Sequence, residues 1–226
     1  MASSIANSDR YADPRSIEYQ FRQRRYQHIK TLIDAILARR GRCRIIDIGG
    51  TEWYWRIASG HIDDERITVD LVNLEAVKTA KPNFRSLAAN ACDMRDFKDM
   101  SYDLVHSNSV IEHVGTWDAM SRMAANVRRL APSYFVQTPY FWFPFEPHFR
   151  FPFFHWLPEP WRYRLIMRMD MGYIPKAGSI EHAVRSVQSA LLLDQKQFSA
   201  LFPDAAIRRE RFLGLTKSLM AVRAGI

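Results

Sequence analysis

Two short apolar runs that each carry an acid hold the first chemistry legible in this chain. Arg44-Ile45-Ile46-Asp47-Ile48-Gly49-Gly50-Thr51 reads as a buried strand running into a tight turn, and Ile67-Thr68-Val69-Asp70-Leu71 as a second short strand ending on an acid. Two parallel strands with carboxylates at their C-terminal ends, joined by a helix, form a nucleoside-binding half of a doubly wound sheet. Asp70 lies about twenty residues past the glycines, where an acid accepts hydrogen bonds from a ribose. The Gly-x-Gly-x-x-Gly pattern that brings backbone against a pyrophosphate is missing, so the expected ligand is a nucleoside without phosphates.

The elements that must position these acids alternate. Ile17, Phe21, Ile29, Leu32, Ile33, Ile36 and Leu37 recur at helical spacing through residues 16–40, and Gly41 stops the run. Strands are expected at 43–48, 67–71, 84–90, 102–107 and 134–137, with a helix over 117–130. A helix over 195–201 follows, then strands over 206–212 and 218–223 around Leu213-Gly214. This order predicts an α/β three-layer Rossmann-like sandwich. Its sheet is mostly parallel and seven-stranded, with an antiparallel C-terminal hairpin and an aromatic-rich insertion after the fifth strand.

That insertion stands out by composition. Between Tyr140 and Tyr163 lie 12 of the 29 aromatic residues, and six of the 11 prolines fall between Pro139 and Pro160. Proline at this density forbids a central strand and a long helix. The expectation is an ordered, aromatic-packed excursion over the end of the sheet. A short amphipathic helix follows, with Trp161, Leu165, Ile166 and Met169 opposite Arg162, Arg164 and Arg168.

The 226 residues, 47% of them hydrophobic, suffice for one substantial core. We expect a single domain over 1–226, with an N-terminal helical segment over 1–40 and a lid over 139–193. Met1 to Pro14 is small and polar, so no signal peptide is expected, and no run reaches the length of a membrane span. Cys43 and Cys92 offer neither metal spacing nor a disulfide framework, and no metal site is expected. A cytoplasmic location follows, with the inner membrane face as a peripheral alternative. The formal charge of +8 reads either as a solvated face or as attraction to anionic partners.

Asp47-Ile48-Gly49-Gly50, Asp70 and the run Tyr102-Asp103-Leu104-Val105-His106-Ser107-Asn108-Ser109-Val110-Ile111-Glu112-His113-Val114-Gly115 resemble class I S-adenosylmethionine-dependent methyltransferases, in the small-molecule branch called type 11. The likeness runs from about residue 40 to the C-terminus. Thr51 and Trp53 stand where that family usually has its second and third glycines; Gly50 then supplies the flexibility one residue early.

The resemblance implies S-adenosyl-L-methionine as cofactor, held by Asp47, Gly49, Gly50, Thr51, Asp70, Leu71, Asp93, Met94, Ser107 and Asn108. Asp70 would take the ribose hydroxyls and Asp93 the adenine amino group, with Asp96 as its competitor. Methyl transfer asks mainly for in-line positioning and exclusion of water. A general base is needed only for a hydroxyl or protonated amine acceptor. His148 and His113 are the catalytic candidates, with Glu146 as partner, each weighed against an anchoring role. Tyr140, Trp142 and His155 are candidate acceptor contacts, His155 also reading as a packed side chain.

The implied function is methyl transfer to an O or N atom of a small metabolite, lipid-linked intermediate or glycan. Two alternatives stand beside it: an RNA methyltransferase, suggested by the basic charge, and a catalytically silent binding protein, suggested by the altered glycine turn. Nucleic acid is the weaker partner, because Ser107-Asn108-Ser109 replaces the Asn/Asp-Pro-Pro-aromatic loop usual for base methylation. The aromatic insertion reads as a lid, as a membrane-surface contact or as a homodimer surface.

Overall fold

The computed structural model describes residues 13–58 and 60–225; the expected N-terminal segment before residue 13 lies outside them. Helix α1 (Ile17–Arg40) starts where the Ser16 hydroxyl accepts the Tyr19 N–H at 3.1 Å and stops at Gly41, whose φ is 70°. Glu18 in its first turn and Arg39 and Arg40 in its last complement the helix dipole.

Seven strands form one sheet: β1 (Cys43–Ile48), β2 (Ile67–Asn73), β3 (Phe84–Ala88), β4 (Leu104–Asn108), β5 (Ser133–Pro139), β8 (Ala206–Phe212) and β9 (Leu215–Arg223). Their order is β3-β2-β1-β4-β5-β9-β8. Strands β1 to β5 are parallel, and β8 and β9 close the edge as an antiparallel hairpin. One face is covered by α1 and the turn Tyr54–Ala58, burying Ile29, Ile33, Trp55, Ile45 and Val69. The other is covered by α2 (Trp117–Leu130) and α5 (Gln195–Leu201), burying Met123, Val127, Ile46, Val105 and Phe198. This is the expected three-layer Rossmann-like sandwich. The strand order runs outward in opposite directions from β1 and from β4, so their C-terminal ends open the crevice where such sheets bind ligands.

Two local expectations are corrected. Among the described residues no α-helix joins β1 to β2; the 3₁₀ turns Tyr54–Ala58 and His61–Asp63 lie there instead, the first opened by the Thr51 hydroxyl accepting the Tyr54 N–H. Strand β2 does not end near its acid but continues to Asn73, because pairing with β3 carries on from Asp70↔Arg85 to Asn73↔Ala88. Asp70 therefore sits in mid-strand.

The insertion carries its own small core. A two-residue pair, β6 (Phe145–Glu146) with β7 (Phe151–Pro152), precedes α3 (Glu159–Ile166) and α4 (Ile180–Val187). Phe149, Phe154, Ile166, Met171 and Val187 pack together beneath them. The amphipathic reading of the helix holds for Ile166, which is buried, and for Leu165, which packs against the same small core. Trp161 is 63% exposed, and α3 ends before Met169, which is exposed as well.

Helix α1 is fastened by a buried cation. Arg25 donates from Nε and Nη2 to the two carboxylate oxygens of Glu210, at 2.8 Å each. Its Nη1 reaches Asn108 Oδ1 at 3.0 Å and Gln137 Oε1 at 3.2 Å. One side chain thus ties α1 to β4, β5 and β8. Burial alone would raise the Glu210 pKa, but the Arg25 guanidinium, with Lys217 and the Ser218 hydroxyl, brings it from 4.5 to about 2. Burial and Arg25 in turn push the Lys217 ammonium down to about 8. The remaining arginines of β8, Arg208, Arg209 and Arg211, are exposed along an edge strand, where charge discourages strand addition.

A carboxylate depressed on folding contributes stability that is complete above its unfolded pKa and lost as pH falls through its folded one. Stability should therefore decline between about pH 4.5 and pH 2, and Glu210→Gln should flatten that part of the curve. Arg25→Met should cost about 3–5 kcal/mol by leaving Glu210 buried and unpaired. Urea denaturation across this pH range measures both, and an unchanged acid limb in Glu210→Gln would remove the pair from this role.

Candidate functional site at the C-terminal edge of the sheet

Asp47 is fully buried at the end of β1. Its Oδ2 accepts the Trp55 indole N–H at 2.8 Å, and its Oδ1 lies 2.6 Å from His106 Nδ1 on β4. His106 stacks on Phe135, with ring centroids 5.8 Å apart. The turn that follows is shaped around this carboxylate. Gly49 has φ 73°, and a Cβ there would lie 2.4 Å from Val110; a Cβ on Gly50 would lie 1.7 Å from Asp47 Oδ2. Both positions need glycine for the fold itself, and both leave bare backbone at the mouth of the crevice.

Of the residues expected to hold a cofactor, Gly49, Gly50, Thr51, Ser107 and Asn108 gather at the ends of β1 and β4. Ser107 donates to the Ile48 carbonyl at 3.1 Å, and Asn108 Oδ1 accepts from Arg25. Asp70 is turned elsewhere. Arg85 grips its carboxylate at 3.0 and 2.6 Å, and the Tyr102 hydroxyl donates to it at 2.7 Å. Leu71 is fully buried against α1's side of the sheet. Asn73 takes the strand-end position, donating from Nδ2 to the Gly50 carbonyl at 2.9 Å.

Asp93 and Met94 line an open cleft of about 560 Å³ against Arg122 and Asn126 of α2. Asp93 is exposed and paired with Arg95, which lowers its pKa. Met94 is buried in the core and adds its carbonyl, which accepts from Arg129. Asp96 makes no part of that cleft lining.

The three catalytic candidates meet. His148 Nδ1 lies 2.7 Å from Glu146 Oε1, whose other oxygen accepts the Phe149 N–H at 2.5 Å. The His148 and His113 rings stand edge to face at 4.8 Å. His113 Nδ1 is 2.7 Å from the Ser189 carbonyl. Burial disfavours charge on His148, but the Glu146 carboxylate, with Glu112 behind it, outweighs this and raises the imidazole pKa. Sequence reasoning missed two members of the group. Glu112 is fully buried, and its Oε2 accepts the Thr138 hydroxyl at 3.0 Å. The adjacency of Glu112 and His113, echoed by Glu146 and His148, was the available signal.

The candidate acceptor contacts divide. Tyr140 is half-buried beside the core, its N–H donating to the Lys217 carbonyl at 3.0 Å. His155 is buried and packed, with Nε2 2.6 Å from the Phe141 carbonyl, and burial lowers its pKa. It lines a cavity of about 120 Å³ with Glu146, Phe149 and Arg162. Trp142 is 57% exposed, its ring 6.0 Å from that of Trp156.

Residues 49–133 match the family profile described as "Methyltransferase domain". No curated protein matches the chain. Among solved structures, it is similar to a putative methyltransferase from an antibiotic biosynthesis pathway of Anabaena variabilis, with 16% identity over 81% of this chain and 64% of that one and a TM-score of 0.46. It is similar also to the 1,6-didemethyltoxoflavin-N1-methyltransferase of Burkholderia thailandensis, solved with S-adenosylhomocysteine, with 13% identity over 87% and 77% of the chains and a TM-score of 0.46. A third is the YcgJ protein of Bacillus subtilis, with 14% identity over 82% and 71% and a TM-score of 0.48. The chain spans 64%, 49% and 46% of the first three solved structures it matches.

The residues present at the turn fit the S-adenosylmethionine that the sequence resemblance implies: Gly49 and Gly50 offer side-chain-free backbone beside Ser107 and Asn108. The strand-end polar group beside that turn is Asn73, and Asp70 is engaged by Arg85 and Tyr102.

The turn's dependence on Asp47 is directly measurable. Gly50→Ala should destabilise the protein by about 2 kcal/mol, since the new Cβ meets the Asp47 carboxylate, which is buried and held on both oxygens by Trp55 and His106. Gly178→Ala, where a Cβ meets nothing within 4 Å, should be close to neutral in the same urea titration. Equal midpoints for the two variants would contradict the packing described.

Proposed function

We propose that this chain is an S-adenosylmethionine-dependent methyltransferase acting on an O or N atom of a small metabolite, lipid-linked intermediate or glycan. The observation that carries this reading is a polar cluster, Glu112, His113, Thr138, Glu146 and His148, built at the same strand ends as the Gly49-Gly50 turn. Bound S-adenosylmethionine supplies an electrophilic methyl group. The chain's residues supply position and dryness. Gly49, Gly50, Ser107 and Asn108 border the cofactor on the β1/β4 side, and Asn73 or Asp70 meets its ribose. The insertion roofs the edge and excludes water, with Glu146 pinning His148 and Ser189 pinning His113. The acceptor's heteroatom would face this cluster and release its proton there, its new bond to the methyl carbon replacing the carbon–sulfur bond, whose electron pair stays on sulfur.

The exposed rings Trp142, Phe145, Phe153, Trp156 and Trp161 support an acceptor met at a lipid surface, because aromatic side chains favour the membrane interface. Among the described residues, no helix is long and apolar enough to cross a membrane.

Calorimetric titration with S-adenosylhomocysteine tests the reading. Micromolar binding is expected. Loss of the ribose contact should weaken it by roughly 1–3 kcal/mol, in Asn73→Ala if the strand-end group makes that contact and in Asp70→Ala if Arg85 releases the acid. His148→Ala should leave that affinity in place while reducing methyl transfer. Absence of binding by a folded wild-type chain would leave a silent binding protein as the better account.

A further inference from the structure

The cluster beside the acceptor position has a property that hydrogen bonding within the protein does not use up. One ligand atom from each of Glu112, His113 and His148 lies within 4.8 Å of the other two. Both histidines are held through Nδ1, His148 by the Glu146 carboxylate and His113 by the Ser189 carbonyl, each at 2.7 Å. That leaves Nε2 on both rings as the nitrogen without a hydrogen-bond partner among the described residues. Glu112 is 0% exposed; Thr138 satisfies its Oε2, while its Oε1 is buried with no hydrogen-bond partner.

An orphaned buried carboxylate oxygen is costly, and a native fold keeps one where something binds it. Imidazoles that ligate a metal almost always donate their other N–H to a carboxylate or a backbone carbonyl, as both of these are placed to do. Two histidines and one carboxylate suit a divalent transition ion such as zinc, manganese or iron(II), and three protein ligands leave a position open.

We propose that Glu112, His113 and His148 bind one divalent transition-metal ion, with Glu146, Thr138 and the Ser189 carbonyl holding the ligands in place. Ligand atoms around such an ion stand about 3–3.5 Å apart at ordinary bond lengths, so small side-chain rotations close the site. His113 is exposed, which gives the ion a way in. The ion joins the insertion to the sheet, since Glu112 and His113 follow β4 and His148 lies between β6 and β7.

The use of the site rests on the methyltransferase reading; its existence does not. An acceptor hydroxyl bound at the open position loses its proton to water more readily. The resulting oxyanion forms the O–C bond to the methyl group, while the breaking C–S bond leaves its electron pair on sulfur. His113 and His148 then act as ligands, and neither imidazole takes the proton.

The test uses the full chain without an affinity tag, stripped with chelator and dialysed, then titrated with Zn²⁺ and Mn²⁺ by calorimetry and with Co²⁺ by absorption. One ion per chain is expected, together with a rise in melting temperature. Glu112→Gln, His113→Ala and His148→Ala should each abolish stoichiometric binding, and Glu146→Gln should weaken it about 10–100-fold. His182→Ala, remote from the cluster, should bind as wild type does, and melting curves without metal confirm that each variant folds. Substoichiometric binding, or binding that none of the three ligand variants alters, overturns the proposal. S-adenosylhomocysteine titrated into the same samples separates the questions: metal binding without it counts against the methyltransferase reading alone, and the reverse against the metal alone.

Discussion

A carboxylate removed from water must be given partners, and in this protein Asp47 is the one around which the central crevice is arranged. It lies at the end of β1 with no exposed surface. Its two oxygens are met by Trp55 from the covering turn and His106 from the neighbouring strand. Those two contacts hold the Tyr54–Ala58 turn against the sheet and align β1 with β4. They also explain the glycine turn. With the Asp47 carboxylate folded back beneath Gly50, no side chain fits there, and Val110 closes over Gly49 in the same way. The departure of Thr51 and Trp53 from the usual glycine pattern is thus compatible with the fold, because the two glycines the packing requires are present. Thr51 has its own structural task in opening the 3₁₀ turn.

Arg25 plays the complementary part on the far side of the crevice. A guanidinium offers five donors in a fixed plane, and here most are spent on Glu210, Asn108 and Gln137. Some of the chain's basic charge is therefore neither a solvated face nor a lure for anions. Arg22 likewise lies over the rings of Trp53 and Tyr54, 4.8 and 5.5 Å from their centres. A helical wheel cannot reveal this, because Arg25 is buried among residues distant in sequence.

The insertion shows how proline and aromatic density become architecture. Its backbone cannot extend the main sheet, so it builds a two-residue strand pair, two short helices and a separate small core. Several of its rings stay exposed. Its polar residues turn inward: Glu146 reaches His148 and the Phe149 amide, while His155 reaches the Phe141 carbonyl. Glu112 and Thr138 approach the same place from the strand ends, and His113 brings the two bodies together. The proposed chemistry and the anchoring of the insertion thus draw on one set of side chains.

Sequence alone marked the strands of the main sheet and the helices α1, α2 and α5, in their order along the chain. Periodicity marks α1 and α2, apolar runs mark the buried parallel strands, and Gly41 and Leu213-Gly214 punctuate them, because these signals are local. The pairing of Glu146 with His148 was legible for the same reason, two residues apart across a proline. Only the tertiary structure decided where Asp70 points, because the continuation of β2 depends on pairing with β3 and the acid's partners are Arg85 and Tyr102. It likewise decided that Arg25 is interior, that Asn73 holds the strand-end position, and that Glu112 and His113 face His148. Each of these turns on burial and on contacts between residues far apart in the chain. A one-dimensional pattern records what a side chain can do, and the packed fold sets which partner it meets.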